Sequence, residues 1–166
     1  TQSKKALAIK HSLREQALQL SRTITQGSSA TIRSVHRHEL DQAAMLLDKV
    51  ANAVKESQRL LKKHPDLYFT GYVQDAHKEY AEAAATIAFV TGSTLPSPRQ
   101  LGIAFPAYLN GLAEAASELR RTILDALRLD DSKPCGSLLE MMDAVYTVLM
   151  HLDFPEALTN GLRRSS

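Results

Sequence analysis

Apolar residues recur along this chain at alternating intervals of three and four, the rhythm of helices with one buried face. Ala6, Ile9, Leu13, Ala17, Leu20 and Ile24 follow it and predict a long helix over residues 3–37, with Lys10, Arg14 and Arg22 turned to its other faces. Gly27-Ser28-Ser29 marks either a kink or a true break before the pattern resumes. Leu40, Ala43, Ala44, Leu47, Val50, Val54 and Leu61 predict a second helix over 39–63, which Pro65 stops. After a connection at 66–71, Val73, Ala76, Tyr80, Ala83, Ala84, Ile87 and Val90 predict a helix over 72–90. A loop rich in breakers covers 91–100, where Ser97-Pro98 can start a short helical turn. Leu109, Leu112, Ala116, Leu119, Ile123 and Leu127 line a helix over 106–129, and a loop at 130–136 leads to another over 137–151. In that helix Leu139, Met142, Tyr146 and Met150 form the expected buried stripe, with Asp143 among them. Asp153-Phe154-Pro155 opens a last short helix whose basic end reads as the first turns of a longer, truncated one.

Composition agrees with an all-α protein. Aliphatic residues and alanine dominate the 166 residues, aromatics make up 5%, and there are 7 Gly and 6 Pro. The length is that of one domain, 1–166, able to bury a sizeable core. A single cysteine, Cys135, excludes an intramolecular disulfide and fits a reducing compartment. With no apolar run long enough to span a bilayer and no signal-peptide core, the sequence reads as soluble and cytoplasmic, without a membrane partner.

The net charge of +2 conceals an asymmetry. Residues 1–38 carry seven Lys/Arg against one acid, Glu15, while the remainder carries 13 basic and 17 acidic residues. A basic first helix on an acidic body is either a solvated face or a track for a polyanion. Arg33 and Arg37, at i and i+4, present two prongs, and with Arg22 and His36 they are the candidates for holding a phosphate backbone. Aromatic residues are not interleaved with these basic ones, so base-specific recognition is not indicated.

The acids offer the chemistry. Asp75, Glu79 and Glu82 fall at i, i+4 and i+7 and stack along one helix face. Such a cluster persists on a well-solvated surface or because a cation sits among the oxygens. Asp143, set in an apolar stripe, needs a cation or donors of its own, since burying a lone carboxylate is costly. Glu114 and Asp125 read as surface charges. Glycine-rich phosphate loops, CxxC, HExxH and GxSxG are absent, and no Glu has a His three residues later as a di-iron bundle requires. What remains is an all-oxygen site of Glu79, Glu82 and Asp143, with Glu118 or Asp75 beside it, suited to Mg²⁺ or Mn²⁺.

Five segments together resemble the translin superfamily: IRSVHR (32–37), EYAEA (79–83), LPSP (95–98), YLNGLAEAASELRR (108–121) and MMDAVYTVLMHLDFP (141–155). The EYAEA pattern is similar to the translin-associated factor X branch, metal-dependent single-strand ribonucleases, whereas translin itself lacks the paired glutamates. The resemblance implies that Glu79 and Glu82 are the paired catalytic glutamates and Asp143 the catalytic aspartate, with Glu118 of the SEL tripeptide supporting the metal. It also implies an all-helical bundle assembling into a closed octameric barrel, either of one chain or together with a translin-like subunit.

The resulting expectation is a Mg²⁺- or Mn²⁺-dependent endoribonuclease acting on single-stranded RNA, with single-stranded DNA as a further ligand. One rival is a translin-like module that binds single strands without cutting them. The other is a structural subunit whose acids are surface charge.

Overall fold

Leucine- and alanine-rich stretches without interior proline produce seven helices among residues 2–151, the span described by the computed structural model. They are α1 (Gln2–His36), α2 (Leu40–Leu61), α3 (Pro65–Tyr68), α4 (Gly71–Thr91), α5 (Pro98–Leu101), α6 (Phe105–Arg128) and α7 (Cys135–Met150). The helix expected to open at Asp153 lies outside the described residues.

α1 runs unbroken through Gly27-Ser28-Ser29. The glycine serves helix packing: a Cβ at position 27 would lie 2.5 Å from Val50 Cγ2, so its absence lets α1 and α2 press together. The chain reverses at His38, whose left-handed backbone (φ 60°) directs its N–H to the Val35 carbonyl at 2.9 Å. The short α5 starts as Ser97-Pro98 predicts, with a reciprocal capping box between Ser97 and Gln100.

α4 is the axis of the bundle. It packs most extensively against α1 and α6 and also touches α2, α3 and α7. Its predicted apolar stripe is buried or half-buried, but so are Gln74, His77, Ala81, Glu82, Ala85 and Thr86 on its other faces. The main core joins Ile24, Val50, Val54, Tyr80, Leu112, Leu119 and Ile123 to Leu138, Val145 and Leu149. Each fully buried Leu, Ile or Val among these contributes roughly 1.5–3 kcal/mol. A smaller cluster of Ala17, Leu61, Leu67 and Val73 closes one end.

Two helices depart from the expected faces. In α7 the buried residues are Cys135, Leu138, Val145 and Leu149, whereas Leu139, Tyr146 and Met150 are 54%, 51% and 57% exposed. Asp143 shares that outer face and is exposed, not set in a buried stripe. The helix is apolar around most of its circumference, so two stripes fit the same period and packing on α6 selects one. In α1 the first turns, through Ser12, are exposed throughout, including Ala6 and Ile9. No described helix is long and apolar enough to cross a membrane.

Candidate metal centre

Glu79 and Glu82 stand one turn apart on α4, and their spacing brings both carboxylates to one side of the helix. The third member comes from α6. At Gly111 a Cβ would lie 2.5 Å from the Lys78 carbonyl oxygen, 2.6 Å from Ala81 Cβ and 2.9 Å from the Glu82 nitrogen. Only glycine permits this approach of α6 to the α4 backbone. Glu114, three residues further along α6, is thereby carried to the glutamate pair. Glu79, Glu82 and Glu114 each offer an oxygen within 4.8 Å of the other two.

These oxygens are poorly solvated. Glu82 is 8% exposed, and Glu79 and Glu114 are half-buried. Burial, reinforced by the charges of Glu114, Glu79 and Glu118, pushes the Glu82 pKa up to about 8. Glu79 also sits above its ordinary value, chiefly through burial, with Glu114 and Asp75 adding to the shift and Lys78 opposing it. Lys78 is the counter-charge: its Nζ donates to Glu114 Oε1 at 2.7 Å. Burial works against the ammonium, but the hydrogen bond to Glu114 and the attraction of Glu114, Glu79 and Asp75 outweigh it and leave its pKa raised.

Glu118 lies one turn beyond Glu114 and contacts α1, its Oε2 2.5 Å from His36 Nε2. The His36 side chain is 9% exposed, so it is turned inward on this acid and is not displayed on the basic surface as expected. Glu118 stands outside the three-oxygen group, although its charge acts on Glu82. Asp75 is exposed, and its charge is felt at Glu79 and Lys78. Asp143, exposed on α7, is likewise not in the group. Arg22 and Arg33 are exposed on α1, while Arg37 Nη2 donates to Glu39 Oε2 at 2.7 Å. His77 is fully buried near the ring of Tyr68, and burial lowers its pKa to about 4.

The donor set suits a hard divalent ion. Three carboxylate oxygens would suit Mg²⁺ or Mn²⁺, hard ions that take carboxylate ligands and keep waters on their other positions. Nothing in this set favours zinc or copper, which prefer imidazole and thiolate. Glu114 and Lys78 escaped the sequence reading. The signal for Glu114 was the small-residue run around Gly111, which marks a close helix crossing.

No family model matches the chain. An uncharacterised protein of Methanocaldococcus jannaschii is 31% identical over 160 residues, covering 95% of this chain and 70% of that relative. Among solved structures, the crystal structure of AfC3PO is 30% identical, with a TM-score of 0.92 over 99% of this chain and 85% of that one. The chain belongs to the C3PO family of translin/TRAX proteins. AfC3PO in its complex with duplex RNA gives the same coverage, at 29% identity and a TM-score of 0.91. Apo-NeC3PO shares the C3PO fold at 21% identity and a TM-score of 0.88, over 99% of this chain and 88% of that one. In this member of the C3PO family the acidic cluster is built on α4 and α6, the helices that carry the EYAEA and YLNGLAEAASELRR motifs.

Proposed function

We propose that this chain is a Mg²⁺- or Mn²⁺-dependent endoribonuclease acting on single-stranded RNA, with Glu79, Glu82 and Glu114 holding the ion. The convergence of three half-buried to buried carboxylates from two helices carries this reading. An RNA ligand is supported by AfC3PO, a relative solved in complex with duplex RNA. In this reading Glu114 takes the place given to Asp143 by sequence resemblance, because Glu114 is the third acid at the pair. Glu118, held by His36, adds negative charge behind the site without joining the three oxygens.

When bound, the ion supplies a water of lowered pKa and neutralises charge on the phosphate under attack. The carboxylates of Glu79, Glu82 and Glu114 would hold the ion, while His36 orients the neighbouring Glu118 and Lys78 pairs with Glu114 before the ion arrives. Arg22 and Arg33, on the exposed side of α1, attract the RNA backbone through a salt-sensitive contact. Arg33 is one turn before His36, so the basic track ends next to the acids. The exposed apolar faces of α7 and of the first turns of α1 suit assembly into the family's closed octameric barrel, of this chain alone or with a translin-like subunit.

The test incubates purified protein with labelled single-stranded and duplex RNA in Mg²⁺, in Mn²⁺ and in chelator. Cleavage of the single strand that requires the ion and is lost in E79Q/E82Q supports the proposal. Intact RNA in every lane overturns it, and retained binding without cleavage would then favour the non-cutting module.

A further inference from the structure

We propose that Lys78 is a resident counter-ion of the acidic site, and that a divalent cation enters by displacing its ammonium from Glu114. The inference rests on the reading of the site as a metal centre and assigns this lysine control over how tightly the ion is held.

The argument starts from charge. Glu79, Glu82, Glu114 and Glu118 are gathered on α4 and α6, where like charges repel and little water screens them. Among the described residues, the ion pairs reaching this group are Lys78 to Glu114 and His36 to Glu118. Lys78 is therefore the permanent cation at the three-oxygen cluster itself. Its position is fixed by the fold: Lys78 and Glu82 share a face of α4 at i and i+4, and Gly111 packs on the Lys78 carbonyl. The side chains of Lys78 and Glu114 are only 25% and 30% exposed, so theirs is not a loose surface pair.

The ammonium and an ion compete for the same ground. Lys78 Nζ bonds an oxygen of Glu114, and Glu114 also belongs to the group able to ligate the ion. A divalent cation placed there meets a like charge at close range in a partly desolvated setting, where repulsion is far stronger than in water. The flexible four-carbon stem of lysine allows the ammonium to withdraw while α4 stays in place. Glu79 and Glu114 alone outnumber the one lysine, so the site retains net attraction for the ion. Lys78 thus keeps the acids together before the ion arrives and sets a threshold that the ion must exceed.

The experiment measures Mn²⁺ affinity of the full chain by calorimetry and by the loss of the free-ion paramagnetic signal. Wild type, K78M, K78Q, K78R and E79Q/E82Q are compared, with circular dichroism confirming the fold of each. K78M and K78Q should bind Mn²⁺ about tenfold tighter than wild type, the direction set by removing a like charge from the site. K78R retains the charge and should show no tightening. Unchanged or weaker binding by both neutral variants overturns the role of Lys78 while leaving the metal centre standing. Failure of every variant to bind Mn²⁺, or equal binding by E79Q/E82Q, overturns the metal centre and this inference together.

Discussion

His36 Nε2 on α1 meets Glu118 Oε2 on α6 at 2.5 Å, linking the end of the basic helix to the acids. The histidine side chain is 9% exposed, so the contact is shielded and holds Glu118 in one orientation. H36A should destabilise the fold by about 1–3 kcal/mol, the cost of leaving a part-buried acid without its partner. Cleavage should fall with it, and H36Q, which can still donate to Glu118, should recover most of both. Thermal melts and RNA turnover on the three proteins decide the matter.

The crossing at Gly111 leaves no room for a side chain, since its neighbours are backbone atoms of Lys78 and Glu82 and the Cβ of Ala81. G111A forces α6 away from α4 and should cost about 1–3 kcal/mol, as overpacking does. It also moves Glu114 from the pair, so Mn²⁺ affinity should drop even at temperatures where the variant is folded. A variant with unaltered melting temperature and ion affinity would contradict the crossing described.

The two candidate third ligands separate cleanly. E114Q should lower cleavage at least about a hundredfold, as loss of a metal-supporting group does, while D143N changes it little. Initial rates of RNA cleavage at saturating Mn²⁺ test this. The reverse ranking would return Asp143 to the site and remove Glu114.

Glu82 binds its proton up to about pH 8 in the folded state, held mainly by burial and then by Glu114, Glu79 and Glu118, against an ordinary value of 4.5. Between those values the folded chain holds more protons than the unfolded one, so the contribution of Glu82 to stability falls as pH rises. It is fully present below 4.5 and lost through about 8. Metal-free melting temperatures should therefore decline over that window, and E82Q should flatten the decline. A slope of the opposite sign in wild type, removed by E82Q, would refute the assignment.

Arg22 and Arg33 are exposed and, among the described residues, make no ion pair. R22A and R33A should each weaken RNA binding across sequences alike and reduce the slope of affinity against salt by about one. Arg37, which already pairs with Glu39, should matter less. Titrations at several salt concentrations provide the comparison.

The long helices were legible because each carries an apolar rhythm, and Ser97-Pro98 announced its own short turn, whereas the four-residue α3 begins at Pro65 and runs into the connection expected at 66–71, too short to show any period. The glutamate pair was legible because Glu79 and Glu82 are neighbours on one helix. What the pattern could not reveal was pairing in space. Glu114 and Glu118 at i and i+4 look like any solvated ridge until Gly111 brings α6 onto α4. Asp143 was placed inward because Leu139, Tyr146 and Met150 repeat as regularly as Leu138, Val145 and Leu149, and hydrophobicity alone does not choose between two such stripes. His36 resembled its exposed neighbours in sequence, yet its side chain is turned inward onto Glu118 of α6, a contact between residues 82 apart that no local pattern shows.

The acids are divided between α4 and α6, which cross at Gly111 against Ala81 and bare backbone. Beside that crossing an ion bridging the two helices would act as a rivet. Filling the site and fastening the bundle then become one event, and rising Mg²⁺ or Mn²⁺ should steadily increase the heat resistance of the whole molecule.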